Sequence, residues 1–397
     1  MHWPEPLSTF FLSALCSGLK RLPSDLPSVD ITIANSVTDL IQGDVQEHLP
    51  LERIPLNGDV LGLGTTTSVE NGELSFLHRP GEANTTIWKC QAHDGGIRAL
   101  HPGEGRFHFP YVCFTPDATD LQCPVPSDQL NSCAGQPLQA LIADRIEQLR
   151  SDGVLKPASL YGLRLHCRWQ RLLITVASKL CMLQQRRQAS AFTGVEQVGD
   201  QNVYKMLQHF RLAPEDDNDP SDPIRFLGRS LEWECCGFFD LEPTTGRVTI
   251  PSANDHLHLH GCSTDLRFGG HLLHEHPESA LASIERLVLY PLQTIEHLAS
   301  DLAVRELSFS GGVLSFRIAN IGSLDVSDVG VAVVINDRFS DHRYLRMPWL
   351  EAGSSEVFRI PLDLEGTGHR ITVVADPHQD ILEDAELLDN NRSSLTV

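Results

Sequence analysis

The chain is 397 residues long, 41% hydrophobic and 21% charged, a composition that suits a folded protein of two or three domains, each with its own core. A formal net charge of −21 argues against a surface for nucleic acid or anionic membranes. No run approaches the roughly 18 apolar residues of a membrane span, and ten cysteines without a Cys-x-x-Cys pair are expected as buried, reduced thiols in a cytoplasmic protein.

Residues 1–28 read as an N-terminal extension. Its apolar stretch, Leu7–Leu15, follows Met-His-Trp-Pro-Glu-Pro with no basic charge and no clear small-x-small cleavage site, so an amphipathic helix or docking segment is expected. From Val29 the pattern is strand, short helix, strand. Asp-Ile-Thr-Ile-Ala alternates, Ser36 caps a helix to Gln42, and an apolar run from Val60 ends in Gly62-Leu-Gly64. Asn71-Gly72 signals a tight turn before the alternating Glu-Leu-Ser-Phe-Leu. Further strands are expected at Thr86–Cys90 and Phe107–Phe114.

Between Gln136 and Arg150 the period changes. Leu138, Leu141, Ile142, Ile146 and Leu149 share one face at helical spacing, which predicts an amphipathic helix. Tyr161–Trp169 and Leu172–Ala177 alternate as two strands. The acidic, proline-rich run within Arg211–Pro223 does not fit a calcium loop and reads as a solvated loop. Glu232–Asp240 and Arg247–Pro251 are expected as strands, Ser279–Leu287 and Thr294–Val304 as helices. The last hundred residues carry short alternating strands separated by turn residues, the pattern of an immunoglobulin-like β-sandwich. The expected division is therefore 1–28, 29–304 and 305–397. The fold class is mainly β (α+β), a mixed or antiparallel β domain with few helices followed by the sandwich.

The chemistry concentrates in Asp255-His-Leu-His-Leu-His-Gly-Cys-Ser-Thr-Asp-Leu-Arg-Phe-Gly-Gly-His271. On a strand, Leu257 and Leu259 point one way and His256, His258 and His260 the other. Histidines two apart lie roughly 6.5–7 Å apart at Cα, close enough for their rings to share a metal ion. A turn around Gly269-Gly270 would return His271 as a further ligand. Three neutral imidazoles leave coordination positions open, as catalytic metal sites do.

His258-Leu-His260 followed by Gly-Gly-His271-Leu-Leu resembles the metal signature of the α-acetolactate decarboxylases. The resemblance extends over about residues 29–300, through Ser36–Val45, Gly62-Leu-Gly64-Thr65, Asn71-Gly72-Glu73-Leu, Tyr161-Gly-Leu-Arg-Leu and Cys236-Gly-Phe-Phe. It implies that His258, His260 and His271 bind zinc or another divalent transition metal, and leaves His256 as an extra histidine. It further implies a metal-dependent carbon–carbon lyase that decarboxylates a 2-hydroxy-3-oxo acid through a metal-stabilised enediolate, as in acetoin biosynthesis, with Glu73 relaying the proton and Thr65 in the site.

The family's arginine has no direct counterpart. An ungapped reading puts Thr175 there, whereas Arg171, Arg186 or Arg187 requires a shift. Arg164 reads as a structural partner, and Glu306 is the candidate for the family's second glutamate. Two other readings stay open. A divergent relative would run a different metal-assisted reaction on a chelating substrate. A non-catalytic metal-binding domain would use the sandwich, which resembles bacterial adhesion-type modules, for protein contacts. A small-molecule substrate is expected, as are a homodimer or a protein partner through the sandwich, and neither nucleic acid nor membrane.

Overall fold

A computed structural model of the chain describes residues 29–397 except 67–71, 102–107, 131–134, 178–207, 216–218, 220 and 385. The expectations for residues 1–28, for Asn71, for Arg186 and Arg187 and for part of the acidic loop lie outside the described residues. The described chain is mainly β, with two α-helices, Val37–Ile41 and Leu138–Ser151. The first begins at Ser36, whose side chain accepts the Asp39 N–H as an N-cap. The second buries Leu138, Leu141, Ile142, Ile146 and Leu149 on one face. Among the described residues no helix is long and apolar enough to cross a membrane.

Two sheets build the larger part. The first is seven-stranded, in the order Ile295–Leu298, Ile31–Ala34, Tyr111–Asp117, Val60–Thr66, Gly72–Leu77, Thr86–Gln91, Ile97–Leu100. The second is organised on one long strand, Leu160–Val176, where the sequence suggests two. Its N-terminal half pairs with the central strand Glu232–Asp240 on one side and with Ala280–Leu292 on the other. Beyond the central strand lies the histidine strand Leu257–Ser263, and then a short return strand, Gly269–Leu272. The return strand closes back on the far end of the long strand, pairing Thr175 with His271. Leu61, Leu63, Phe76, Cys236, Phe238 and Tyr290 belong to the apolar core between the sheets. The outer face of the second sheet packs Leu163, Leu165, Leu257 and Leu259 with the Leu138–Ser151 helix.

Several expectations are corrected. Ser279–Leu287 is strand, not helix. Leu281, Ile284 and Leu287 are buried at intervals of three because the register slips between His166 and Cys167 and again between Arg168 and Trp169. Each bulge inserts a residue, so a period of two becomes a period of three. Thr294–Val304 is also not a helix. Ile295–Leu298 lies parallel to Ile31–Ala34, and Leu302–Ser310 opens the next sheet. Arg247–Pro251 is an irregular segment rather than a strand. Gly246 before it is left-handed at φ 62°, and Arg247 is pinned to Asp240 by bonds of 2.7 and 2.8 Å.

The C-terminal module pairs a three-stranded sheet (Leu302–Ser310, Val313–Asn320, Ser355–Pro361) with a four-stranded one (Arg338–Leu350, Val326–Ile335, Arg370–Ala375, Arg392–Thr396). Residue 304, expected as the boundary, falls inside the first of these strands, and Leu302 and Val304 contribute to the sandwich core. The module is tied to the larger part through a buried histidine. His48 Nε2 lies 2.9 Å from Asp44 Oδ1 and its Nδ1 2.9 Å from the Asp325 carbonyl, while Asp325 N–H donates to the His48 carbonyl at 3.1 Å.

Candidate metal centre

The histidine strand places its side chains by simple alternation. Leu257 and Leu259 go under the helix, while His258 and His260 face the first sheet. Gly237 makes this strand's close approach possible, because a Cβ there would stand 2.0 Å from the His258 carbonyl oxygen. Gly269 and Gly270 lie in the return strand. The turn precedes them, with Leu266 at φ 56°, so the expected Gly-Gly turn is corrected. Their lack of side chains lets the strand wedge in. A Cβ on Gly269 would meet Cys90 Sγ at 2.7 Å, and one on Gly270 the Thr175 carbonyl at 2.7 Å.

His258, His260 and His271 converge, their ligand atoms all within 4.8 Å of one another. His258 Nδ1 lies 2.5 Å from the Val248 carbonyl and His260 Nδ1 2.8 Å from the Leu74 carbonyl. A carbonyl oxygen only accepts, so each Nδ1 carries the hydrogen and each Nε2 presents a lone pair. Those two Nε2 atoms are 3.1 Å apart. Two bare lone pairs at that distance repel unless a cation lies between them. Nitrogens bound tetrahedrally to zinc at about 2.0–2.1 Å stand about 3.3–3.4 Å apart, close to what is observed.

Burial holds His258 down at about 4, with His274 adding to the effect. Burial and mutual repulsion hold His260 and His271 well below the ordinary histidine value. All three are therefore neutral near pH 7, the form that binds metal. The donor set fits a zinc-like ion. The irregular Arg247–Pro251 segment, read from the sequence as a strand, is what supplies the Val248 carbonyl.

Glu73 stands beside the histidines. Its Oε2 is 3.8 Å from His260 Nε2, and its Oε1 accepts the Ala177 N–H at 2.8 Å. Burial pushes its carboxyl up to about 8, with the Ala177 bond pulling the other way. A divalent cation nearby would draw that value down again. Thr65 is opposite Glu73 in the neighbouring strand, and its hydroxyl donates to the Gly72 carbonyl at 2.9 Å. That leaves Thr65 only acceptor capacity for a ligand. His256 is apart from the cluster, stacked on Phe239 at 5.5 Å with Nδ1 2.7 Å from the Asp240 carbonyl.

The candidates for the family's charged groups are elsewhere. Arg171 pairs with Glu215 at 3.2 Å, and Glu306 belongs to the sandwich, bound by Arg317 at 3.1 Å. Arg164 clamps Asp59 at 2.5 Å and also donates to the Phe76 and Val60 carbonyls. The register adds His209, which spacing does not reveal, and sets Thr175 beside the histidines. Cys236, His260, His271, Thr175 and His209 face one another in turn across the strands. His274, buried, donates from Nε2 to the Leu257 carbonyl 3.0 Å away.

The architecture is thus a β protein with a three-histidine cluster between two sheets, followed by a sandwich. Residues 312–394 match the CARDB family model, so the immunoglobulin-like module expected from the sequence is a CARDB domain. Among solved structures, acetolactate decarboxylase from Bacillus subtilis subspecies spizizenii is similar over 67% of this chain and 88% of that one, with 16% identity and a TM-score of 0.40. A CARDB domain from Pyrococcus furiosus is similar over 25% of this chain at 20% identity. Its solution structure is covered over 94% with a TM-score of 0.21, and its crystal structure with di-metal ions over 92% with a TM-score of 0.20. Comparison with curated protein sequences finds no match.

Proposed function

We propose that the chain is a metal-dependent carbon–carbon lyase of the acetolactate decarboxylase type, acting on a small 2-hydroxy-3-oxo acid. The observation that carries this is the pair of Nε2 lone pairs 3.1 Å apart beside a buried carboxylate. His258, His260 and His271 are the ligands. A zinc-like ion held there supplies Lewis acidity for the negative charge that develops on substrate oxygens as the carboxylate leaves. Val248 and Leu74 orient two of the rings through their carbonyls, which fixes the tautomer and the direction of the ligand atoms. Glu73, held at Oε1 by the Ala177 N–H, presents Oε2 to the site and relays a proton to the substrate carbon. Thr65 supports Glu73 from the neighbouring strand.

A second reading, a different metal-assisted conversion of a chelating substrate, draws on Thr175, which stands where an arginine is expected. We further infer a cytoplasmic setting, from thiols that are free among the described residues, and a boundary of the larger part just before Leu302, where the first sandwich strand begins. We infer contacts with a second copy or a protein partner through the CARDB domain.

The test is metal analysis of the purified chain followed by carbon dioxide release from acetolactate, for wild type and His258→Ala. Bound zinc and gas release in wild type, both lost in the variant, are expected. Wild type without metal, or a variant that keeps both, overturns the reading. Zinc without gas release leaves the second reading in its place.

A further inference from the structure

Thr175 lies in the long strand, opposite His271 on one side and His209 on the other. Residues opposed in an antiparallel pair point to the same face. The threonine side chain therefore shares the face of His271 and His260, and of Ala177, whose N–H holds Glu73. It is fully buried, and its hydroxyl has no hydrogen-bond partner among the described residues. A valine fills the same space without the hydroxyl, and a buried hydroxyl left unpaired makes the fold less stable than that valine does. Among the described residues, the fold therefore carries a cost at this position that no contact offsets, next to the three histidines. Two buried arginines are engaged elsewhere, Arg164 by Asp59 and Arg211 by Asp222 and Glu278.

We propose that Thr175 Oγ1 is a substrate contact, hydrogen-bonding an oxygen of the small molecule held at the three histidines and selecting one that presents an uncharged hydroxyl or carbonyl there. The inference rests on the metal-site reading above and adds the substrate's chemistry to it. A hydroxyl both donates and accepts, so it serves an alcohol or a ketone equally. It brings no charge to offset a carboxylate, which is better placed on the metal. β-Branching restricts χ1, so the hydroxyl is held nearly fixed before the ligand arrives. The ligand class is a small α-hydroxy ketone or vicinal dihydroxy acid, chelating through adjacent oxygens.

The test compares wild type, Thr175→Val and Thr175→Ser in the full chain, each with and without zinc. The probe is 2,3-dihydroxybutanoate, which has adjacent oxygens but no ketone to drive decarboxylation. Thr175→Val is expected to raise the Tm of the ligand-free protein, to bind zinc as wild type does, and to weaken the probe about tenfold by calorimetry. Thr175→Ser should restore most of the affinity. A valine variant that binds the probe like wild type, or that melts below wild type, overturns the proposal, as does zinc-loaded wild type that fails to bind the probe. Wild type that takes up no zinc overturns the metal-site reading itself, which separates the two failures.

Discussion

Asp59→Asn should be the most damaging single-atom exchange away from the histidines. Asp59 is buried between the sheets, where its carboxylate accepts from Arg164 Nε at 2.5 Å, Tyr290 OH at 2.6 Å and Gln122 Nε2 at 2.8 Å. Arg164 in turn donates to the Phe76 and Val60 carbonyls at 2.9 and 2.8 Å, so the pair bolts the long strand to the first sheet. The amide keeps the shape but removes the charge, leaving the guanidinium buried without a counter-ion. Breaking such a pair costs about 3–5 kcal/mol, a fall in Tm of roughly 6–15 °C for a domain of this size. Burial works against the Asp59 charge but is outweighed by Arg164 and the hydrogen bonds, and its pKa lies below the ordinary 3.8. Its contribution is therefore present above pH 3.8 and lost as the pH falls through the depressed folded value. Denaturant unfolding at pH 7 reads the loss, and a cycle with Arg164→Met shows whether the two residues act as a unit, since the Asp59→Leu/Arg164→Met pair should recover much of it. Asp59→Asn within about 0.5 kcal/mol of wild type would refute the argument.

Two further outcomes are expected. The two ring nitrogens of His48 face a carboxylate and a carbonyl, both acceptors, so the ring is held as an imidazolium. Burial opposes that charge and Asp44 outweighs it, raising the pKa above 6.5, so this stabilisation is complete below pH 6.5 and is lost as the pH rises through the folded value. Denaturation midpoints taken between pH 6 and pH 9 should fall in wild type and change less in His48→Gln; equal slopes would remove His48 as the cause. Gly237→Ala drives a methyl to 2.0 Å from the His258 carbonyl and should cost about 1–3 kcal/mol or more while weakening zinc in a chelator competition. Wild-type stability and zinc affinity in that variant would remove the close strand approach as a requirement.

The legible parts of the fold are those in which one side-chain period runs undisturbed. The Leu138–Ser151 helix shows its buried face at helical spacing, and Glu232–Asp240 shows its strand by alternation at its start and a fully buried run from Cys235 on. Ala280–Leu292 misleads because two bulges convert its period from two to three, and three is close enough to 3.6 to imitate a helix. Nothing local to Ser279–Leu287 marks the slip. It comes from the pairing with His166–Trp169, more than a hundred residues away. Ile295, Leu298 and Leu302 imitate a helix differently, since residues three and four apart here sit in two separate strands that meet different sheets.

The candidate site divides along the same line. His258 and His260 are readable because one strand sets both side chains, and no distant pairing is needed to bring them together. His271 is readable only through a motif, and the Gly-Gly before it looks like a turn until the return strand shows what the missing side chains are for: room beside Cys90 and the Thr175 carbonyl. His209 carries no local signal at all, and Thr175 is marked only by an ungapped reading of the family resemblance. They reach the face of the histidines because the long strand outruns the central strand and leaves its last residues to pair with the return strand instead. The residue facing the histidine cluster across that gap is then decided by register, which a single residue's slip would reverse. A threonine whose hydroxyl meets no partner among the described residues is informative at such a position, because sheet packing alone would be served better by valine.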